Sequence, residues 1–263
     1  MGDLVALVTG GSRGIGRAIS RKLAETMTVA VNYRSDQASA AELVEAITAD
    51  GGTASAFPAD VRSSAGIGAL VHQIEDAYGR IDVLVNNVGE FSLSAVASTS
   101  DQHWHDVLDS NLGSAFYACK AVLPGMRRRG FGRIVNIGLS PVHQVRAAPN
   151  LAPYAIAKTG VVILTRSLAV EEAARGITVN CLSPGLIDNG FLPPEQERWM
   201  RKRVPSGRLG RPSEVADAVE FLVSDRASYV SGANLAVSGA WDWEDRPTDH
   251  DAEVTDLFEE RAS

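Results

Sequence analysis

The chain has 263 residues, 45% of them hydrophobic and 22% charged, which is enough to bury the core of one α/β domain of ordinary size. A net charge of −7 argues against non-specific binding to nucleic acid or to an anionic membrane, and no uncharged apolar run has the length a bilayer requires. Met1-Gly2-Asp3 leads straight into an apolar segment with no basic or apolar leader, so a cytoplasmic location is expected. Cys119 and Cys181 sit in apolar surroundings and read as buried thiols; no Cys/His cluster has metal-ligand spacing, so no metal site is expected.

Short β-rich runs alternate with longer helical patterns. A strand is predicted at 4–9, then a glycine-rich turn and a helix over 14–27. The strand at 28–33 precedes a helix at 37–49, and the strand at 55–58 a helix at 66–78. The strand at 83–86 leads to a long helix at 99–128, the strand at 134–137 to another at 153–175. Strand 178–183, helix 212–222 and strand 234–237 complete the series. Most strands are Val/Ile/Leu runs without clean alternation, as expected when helices cover both sheet faces. Repeated strand–helix alternation implies right-handed βαβ units, hence a single doubly wound α/β domain with a mostly seven-stranded parallel sheet over residues 1–240. Residues 241–263 carry nine acidic residues against two arginines and read as an acidic C-terminal tail. The alternative is a short amphipathic helix at 251–261 that lays Val254, Leu257 and Phe258 on a neighbouring subunit.

The first strand ends in Thr9-Gly10-Gly11-Ser12-Arg13-Gly14-Ile15-Gly16 and runs into a helix. Glycines there permit positive φ and close backbone approach, while the helix start offers amides and partial positive charge to a pyrophosphate. The second strand ends in Asn32-Tyr33-Arg34-Ser35. A carboxylate at that place bonds a ribose 2′-hydroxyl, whereas basic residues accept a 2′-phosphate. Arg34 and Ser35, with Arg13 from the first turn, favour NADP(H); Asp36 is the competing observation.

Further along, Tyr154 and Lys158 lie four residues apart, which puts a phenol and an ammonium on one helix face. With the glycine turn, with Asp60-Val61, with Asn86-Asn87-Val88-Gly89, with Asn111 and with Pro184-Gly185, this ordered set resembles the short-chain dehydrogenase/reductase family over roughly residues 3–240. Arg166-Ser167-Leu168-Ala169, Gly176-Ile177-Thr178-Val179-Asn180 and Tyr229-Val230-Ser231-Gly232 are most similar to its 3-oxoacyl-[acyl-carrier-protein] reductase branch. The resemblance implies a Rossmann fold and a homotetramer or dimer. It implies cofactor contacts from Gly10, Ser12, Arg13, Gly14, Ile15 and Gly16, from Asn32, Tyr33, Arg34 and Ser35, and from Asp60 and Val61 on the adenine. Asn87, Val88, Gly89, Pro184, Gly185 and Ile187 would surround the nicotinamide half. Tyr154 would be the general acid, Lys158 would bond the ribose and lower the tyrosine pKa, and Asn111 would hold a relay water.

Two departures stand out. Where the family places a serine that bonds the substrate oxygen, this chain has Leu139, and Ser140 follows it. Either Ser140 supplies the hydroxyl from a shifted backbone, or Tyr154 acts alone with help from His143, Gln144 or the substrate, or the chain is a weak catalyst or a binder. Asn189 stands where many relatives carry a threonine. The resemblance implies NADPH-dependent reduction of a small-molecule carbonyl such as a 3-oxoacyl thioester, carrier-bound if Arg127, Arg128, Arg129 and Arg175 form a docking patch. A pteridine- or quinone-type reductase and a nonenzymatic NADPH-binding regulator remain alternatives. The substrate is expected between residues 140–153 and a mobile lid at 186–205.

Overall fold

The computed structural model describes residues 4–140, 147–190 and 192–241. Seven parallel strands form one sheet: β1 (Val5–Val8), β2 (Thr28–Tyr33), β3 (Ala54–Pro58), β4 (Val83–Asn86), β5 (Gly132–Ile137), β6 (Ile177–Pro184) and β7 (Asn234–Val237). Their spatial order is β3-β2-β1-β4-β5-β6-β7, so the chain reverses direction of travel between β1 and β4. That reversal opens a crevice at the carboxyl ends of those strands, where open α/β sheets bind ligands.

Side-chain alternation splits the core into two layers. Val5 and Leu7 of β1, Ala30 of β2, Leu84 of β4 and Ile134 of β5 face one side; Ala6 and Val8, Val29 and Val31, Val83 and Val85, Val135 and Ile137 face the other. The first face is covered by α3 (Ser64–Tyr78), α5 (Ser114–Arg129) and α6 (Ala152–Glu172), through residues such as Ile67, Leu70, Ile74, Met126 and Leu168. The second is covered by α1 (Gly14–Leu23), α2 (Gln37–Ala49) and α8 (Pro212–Val223), through Ile19, Leu23, Leu43, Ile47 and Val219. Strands buried on both faces explain why the sequence shows apolar runs rather than a polar–apolar rhythm.

Two predicted helices differ from those observed. The run at 14–27 ends as a helix at Leu23, and the chain turns through the next four residues before β2. The single helix expected at 99–128 is instead α4 (Asp101–Leu108), a π-helical turn (Asp109–Gly113) and α5. Asn111 lies in that turn, and its side-chain amide donates to the carbonyls of Val107 and Glu90, each at 3.0 Å. A side chain that competes for backbone acceptors favours the wider turn over the regular ladder. Within the anticipated lid, Pro194–Arg203 forms α7. Trp241, expected to begin the tail, is buried against Val204 and Leu209, with Leu186, Leu192 and Met200 around them. Residues 242–263, which hold the rest of the tail and the alternative helix, lie outside the described residues, as do His143, Gln144 and Arg146.

Candidate active site

The glycine turn is fastened from beneath. Thr9 Oγ1 accepts from the backbone N–H of Asn87 at 3.0 Å, and Asn87 Nδ2 donates to the carbonyls of Thr9 and Gly10, each at 3.1 Å. A Cβ on Gly16 would lie 2.2 Å from the Gly10 carbonyl oxygen, so only glycine lets α1 start this close to the turn. Gly14, at φ +51°, has open space where a side chain would stand. Arg13 takes the N-cap position of α1 without a side-chain cap, leaving first-turn amides for an anion. These features fit the pyrophosphate of a dinucleotide.

At the end of β2 the polar side chains are held by the protein itself. Asn32 is buried, and its side chain welds three segments: Oδ1 accepts from Gly10 N at 3.3 Å, while Nδ2 donates to the carbonyls of Phe57 and Ala59, each at 3.2 Å. Its amide thus shapes the cradle. Arg34 and Ser35 are exposed beyond it, and Tyr33 is half-buried. Asp36 is occupied as the N-cap of α2, accepting from Ser39 N at 3.0 Å and Ser39 Oγ at 2.8 Å, with Arg13 at 3.5 Å. Those bonds from Ser39, more than the Arg13 charge, hold its carboxyl below the usual range. The Asp60 carboxylate is gripped by the Arg62 guanidinium, which lowers its pKa, and Val61 beside it is buried.

On the far side of the crevice, Gly185 N donates to the Val237 carbonyl, and Ile187 bridges to Gly210. These contacts hold the segment after Pro184 against β7 and the start of α8.

Tyr154 and Lys158 occupy successive turns of α6. Lys158 is 3% exposed; its Nζ donates to the Ile137 carbonyl at 2.8 Å and lies 5.6 Å from the centre of the Tyr154 ring. Burial pushes this ammonium down to about 8 and the Tyr154 phenol up to about 12. The tyrosine shift is opposite to the lowering expected from a neighbouring cation. Desolvation of the phenolate dominates. At neutral pH the phenol therefore keeps its proton, as a proton donor must.

Asn111 faces the same point from the π-helical turn. Its Oδ1 is buried and has no hydrogen-bond partner among the described residues. A Cβ on Gly89 would lie 2.3 Å from this oxygen and 3.0 Å from Lys158 Nζ, so the asparagine and the ammonium converge over Gly89. An orphaned buried acceptor beside an ammonium is a polar setting that suits a bridging water. Gly89→Ala should consequently lower turnover by about a hundredfold, the cost of a small misplacement of catalytic groups, and lower the melting temperature by a few degrees as the new methyl crowds buried side chains. Steady-state kinetics beside a thermal melt checks this, and full activity would contradict the convergence.

The two residues at the missing-serine position go separate ways. Leu139 packs against Ala115, Val161, Val162 and Cys181. Ser140 is buried; its N–H donates to the Pro184 carbonyl at 3.0 Å and its hydroxyl to the Trp241 carbonyl at 3.4 Å. One residue escaped sequence reasoning altogether. The Phe91 ring stands edge-on to Tyr154, centres 5.3 Å apart and planes at 77°. Its signal was a lone aromatic two residues after Gly89 within Glu90-Phe91-Ser92-Leu93-Ser94.

The arginines of the anticipated carrier patch are largely committed elsewhere. Arg127 pairs with the buried carboxylate of Glu172, Arg129 with that of Asp82 at 3.1 Å, and Arg175 with Glu172 at 3.5 Å.

A family model described as Enoyl-(Acyl carrier protein) reductase matches residues 10–241. The 3-oxoacyl-[acyl-carrier-protein] reductase of Haemophilus influenzae is 39% identical over 238 residues, covering 89% of this chain and 96% of the relative. The chain belongs to the short-chain dehydrogenase/reductase family. Membership makes it an oxidoreductase acting on CH–OH/C=O groups with a nicotinamide cofactor. A 3beta-hydroxysteroid dehydrogenase 1 of Eggerthella lenta is equally similar, 39% identical over 239 residues, covering 89% of this chain and 91% of the relative. Among solved structures, a putative gluconate dehydrogenase from Agrobacterium tumefaciens superimposes with a TM-score of 0.83 at 34% identity, covering 90% of this chain and 94% of that one. Family members of very different substrates thus share this scaffold, so substrate choice rests on the crevice walls. No described helix is long and apolar enough to cross a membrane.

Proposed function

We propose that this short-chain dehydrogenase/reductase is an NADPH-dependent carbonyl reductase in which Tyr154 protonates the substrate oxygen. The observation that carries the reading is the meeting of Lys158 Nζ and the unpaired Asn111 Oδ1 over Gly89, with the Tyr154 ring centre 5.6 Å from that ammonium. When bound, the reduced nicotinamide would supply the hydride to the carbonyl carbon. The chain's own residues do the rest. Gly10, Ser12, Gly14, Ile15 and Gly16 offer backbone to the pyrophosphate; Asp60 and Val61 border the adenine; Asn87, Val88, Gly89, Pro184, Gly185 and Ile187 orient the nicotinamide half. As the C=O π bond breaks and negative charge gathers on oxygen, the Tyr154 O–H delivers its proton there. Lys158 stabilises the tyrosinate so formed, and a water on Asn111 Oδ1 returns a proton to it through the lysine.

Leu139 donates nothing, and the Ser140 hydroxyl is directed at the Trp241 carbonyl, tying the catalytic strand end to the wall that follows β7. Tyr154 is then the principal donor to the substrate oxygen. Ser140→Ala should cost less than about tenfold in kcat/KM, well under the ~10²–10³ of a true oxyanion donor. A loss as large as that of Tyr154→Phe would restore Ser140 to a catalytic role.

Arg34, Ser35 and Arg13 support the 2′-phosphate of NADPH, because the carboxylates nearby are already bonded, Asp36 to Ser39 and Asp60 to Arg62. Arg34→Asp should lower the NADPH-to-NADH ratio of kcat/KM by about 10- to 100-fold, the worth of a charge-assisted bond. Oxidation of each reduced cofactor is followed by absorbance with a panel of ketones and 3-oxoacyl thioesters; equal or better rates with NADH in the native chain would defeat the NADPH assignment. Because Arg127, Arg129 and Arg175 are tied to Glu172 and Asp82, a small-molecule carbonyl is favoured over a carrier-bound one. Exposed Phe116, Ile163 and Val170 on α5 and α6 support assembly through these helices, as a homotetramer.

A further inference from the structure

We infer that Phe91 is a specificity-determining wall of the substrate crevice, selecting carbonyl compounds that carry a planar ring next to the reacting C=O. The inference rests on the reductase reading and names its substrate class.

Phe91 is 53% exposed, yet it is not a loose surface side chain. Its neighbours on both sides are pinned by polar contacts. Before it, Glu90 donates its N–H to Ser110 Oγ at 3.4 Å, and its carbonyl accepts from Asn111 Nδ2 at 3.0 Å. After it, Ser92 Oγ lies 2.5 Å from His103 Nε2. Two residues on, Ser94 N donates to the Asn150 carbonyl at 2.7 Å, and its hydroxyl bonds Thr99 Oγ1 at 2.8 Å. The serines of this segment are thus held by α4 and by the chain leading into α6, while Phe91 before them and Leu93 between them stay exposed. Among the described residues, the one aromatic ring that Phe91 meets is Tyr154.

Leaving half of a phenyl ring in water forfeits apolar burial. A clamp that fixes it there makes physical sense where a ligand covers the ring. The contact with Tyr154 says which ligand: the group attached to the carbon whose oxygen Tyr154 protonates must pass beside Phe91. A flat ring in that place gains an offset or edge contact with the phenyl, whereas a flexible acyl chain gains area at the expense of its rotamer freedom.

The test uses the purified full chain, NADPH, and two 3-oxoesters that differ in one substituent on the reacting carbonyl: ethyl benzoylacetate (phenyl) and ethyl acetoacetate (methyl). The native protein should show a phenyl-to-methyl ratio of kcat/KM of about ten or more, as expected for one well-formed aromatic contact plus burial. Phe91→Ala and Phe91→Leu should each lower that ratio by about tenfold, and Phe91→Tyr should keep it. A native preference for the methyl ketone, or a ratio that Phe91→Ala leaves within about twofold, would overturn the inference. Thermal melts confirm that each variant folds, and Phe91→Leu serves if Phe91→Ala does not. If the native chain reduces neither ester, the reductase reading fails on its own. The wall is then judged by calorimetric binding of the two esters to the protein with NADP⁺. Tighter binding of the phenyl ester that Phe91→Ala removes would uphold it, and equal binding would end it.

Discussion

Replacing Tyr154 with phenylalanine is expected to lower kcat/KM for carbonyl reduction by about 10²–10⁴-fold, the usual contribution of a positioned general acid. The substitution deletes one oxygen and leaves the ring, so the edge-on contact with Phe91 and the helix α6 register persist. Dinucleotide affinity should stay within about twofold, because the pyrophosphate cradle lies on β1 and α1 and does not involve the phenol. The loss should fall on kcat, since the proton is transferred in the transition state and not on binding. Fluorescence titration with NADPH and steady-state kinetics on one ketone measure both quantities. Unchanged turnover in this variant would remove the mechanism.

Lys158→Met should remove activity and at the same time strengthen the fold. The native ammonium is fully enclosed, and its pKa falls from 10.5 to about 8 because burial penalises the charge. At neutral pH that penalty is paid in full, up to about 3 kcal/mol from the shift. Against it stands the bond to the Ile137 carbonyl, worth about 1 kcal/mol. Methionine fills the same space without charge, so the melting temperature should rise by a few degrees, at roughly 2–4 °C per kcal/mol for a chain of this size. The sign of the pH dependence follows from the folded and unfolded values. Below about 8 both states hold the proton and the native penalty is constant; between about 8 and 10.5 the unfolded state binds more protons, so native stability gains as pH rises. The advantage of the methionine variant should therefore be greatest at pH 7 and shrink through that window. Tyr154, Cys119 and Cys181 act the other way. Burial raises them to about 12, about 12 and about 11, so each contributes stability that is lost as pH climbs past its ordinary value toward the raised one. Taking the difference between variant and native melts at each pH removes the Cys119 term, whereas Cys181 and Tyr154 stay coupled to Lys158, so the comparison is read below about pH 9, before either titrates. A variant less stable than the native chain at pH 7 would show that the buried lysine is stabilising after all. For the native enzyme, kcat/KM of reduction should decline above about pH 8, as the ammonium that supports tyrosinate formation is lost.

Much of this molecule was legible before its coordinates. Strand order along the chain, apolar runs such as Val5–Val8, the glycine turn leading into α1 and the Tyr154/Lys158 spacing are all local, and local signals fix the α/β class and locate a crevice. Predicted strands at 28–33, 83–86 and 234–237 match the observed ones, because each is bounded by turn residues a few positions away. The seven-stranded parallel sheet and family membership stand on that same footing.

What the sequence could not decide depends on residues brought together from far apart. The Asn32 amide joins Gly10 to Phe57 and Ala59, a role that no local pattern announces. Arg127, Arg128, Arg129 and Arg175 read alike as a docking patch, and only the fold shows that Arg127, Arg129 and Arg175 pair with Glu172 and Asp82. The long predicted helix conceals a π-helical turn because its cause, the reach of Asn111 to the Glu90 carbonyl, spans 21 positions. Ser140 and Trp241 meet across 101 positions, and Phe91 touches Tyr154 from another strand end. Sequence periodicity reports which face of an element is apolar; partner choice, burial and the resulting shift of a proton affinity are properties of the folded contact alone.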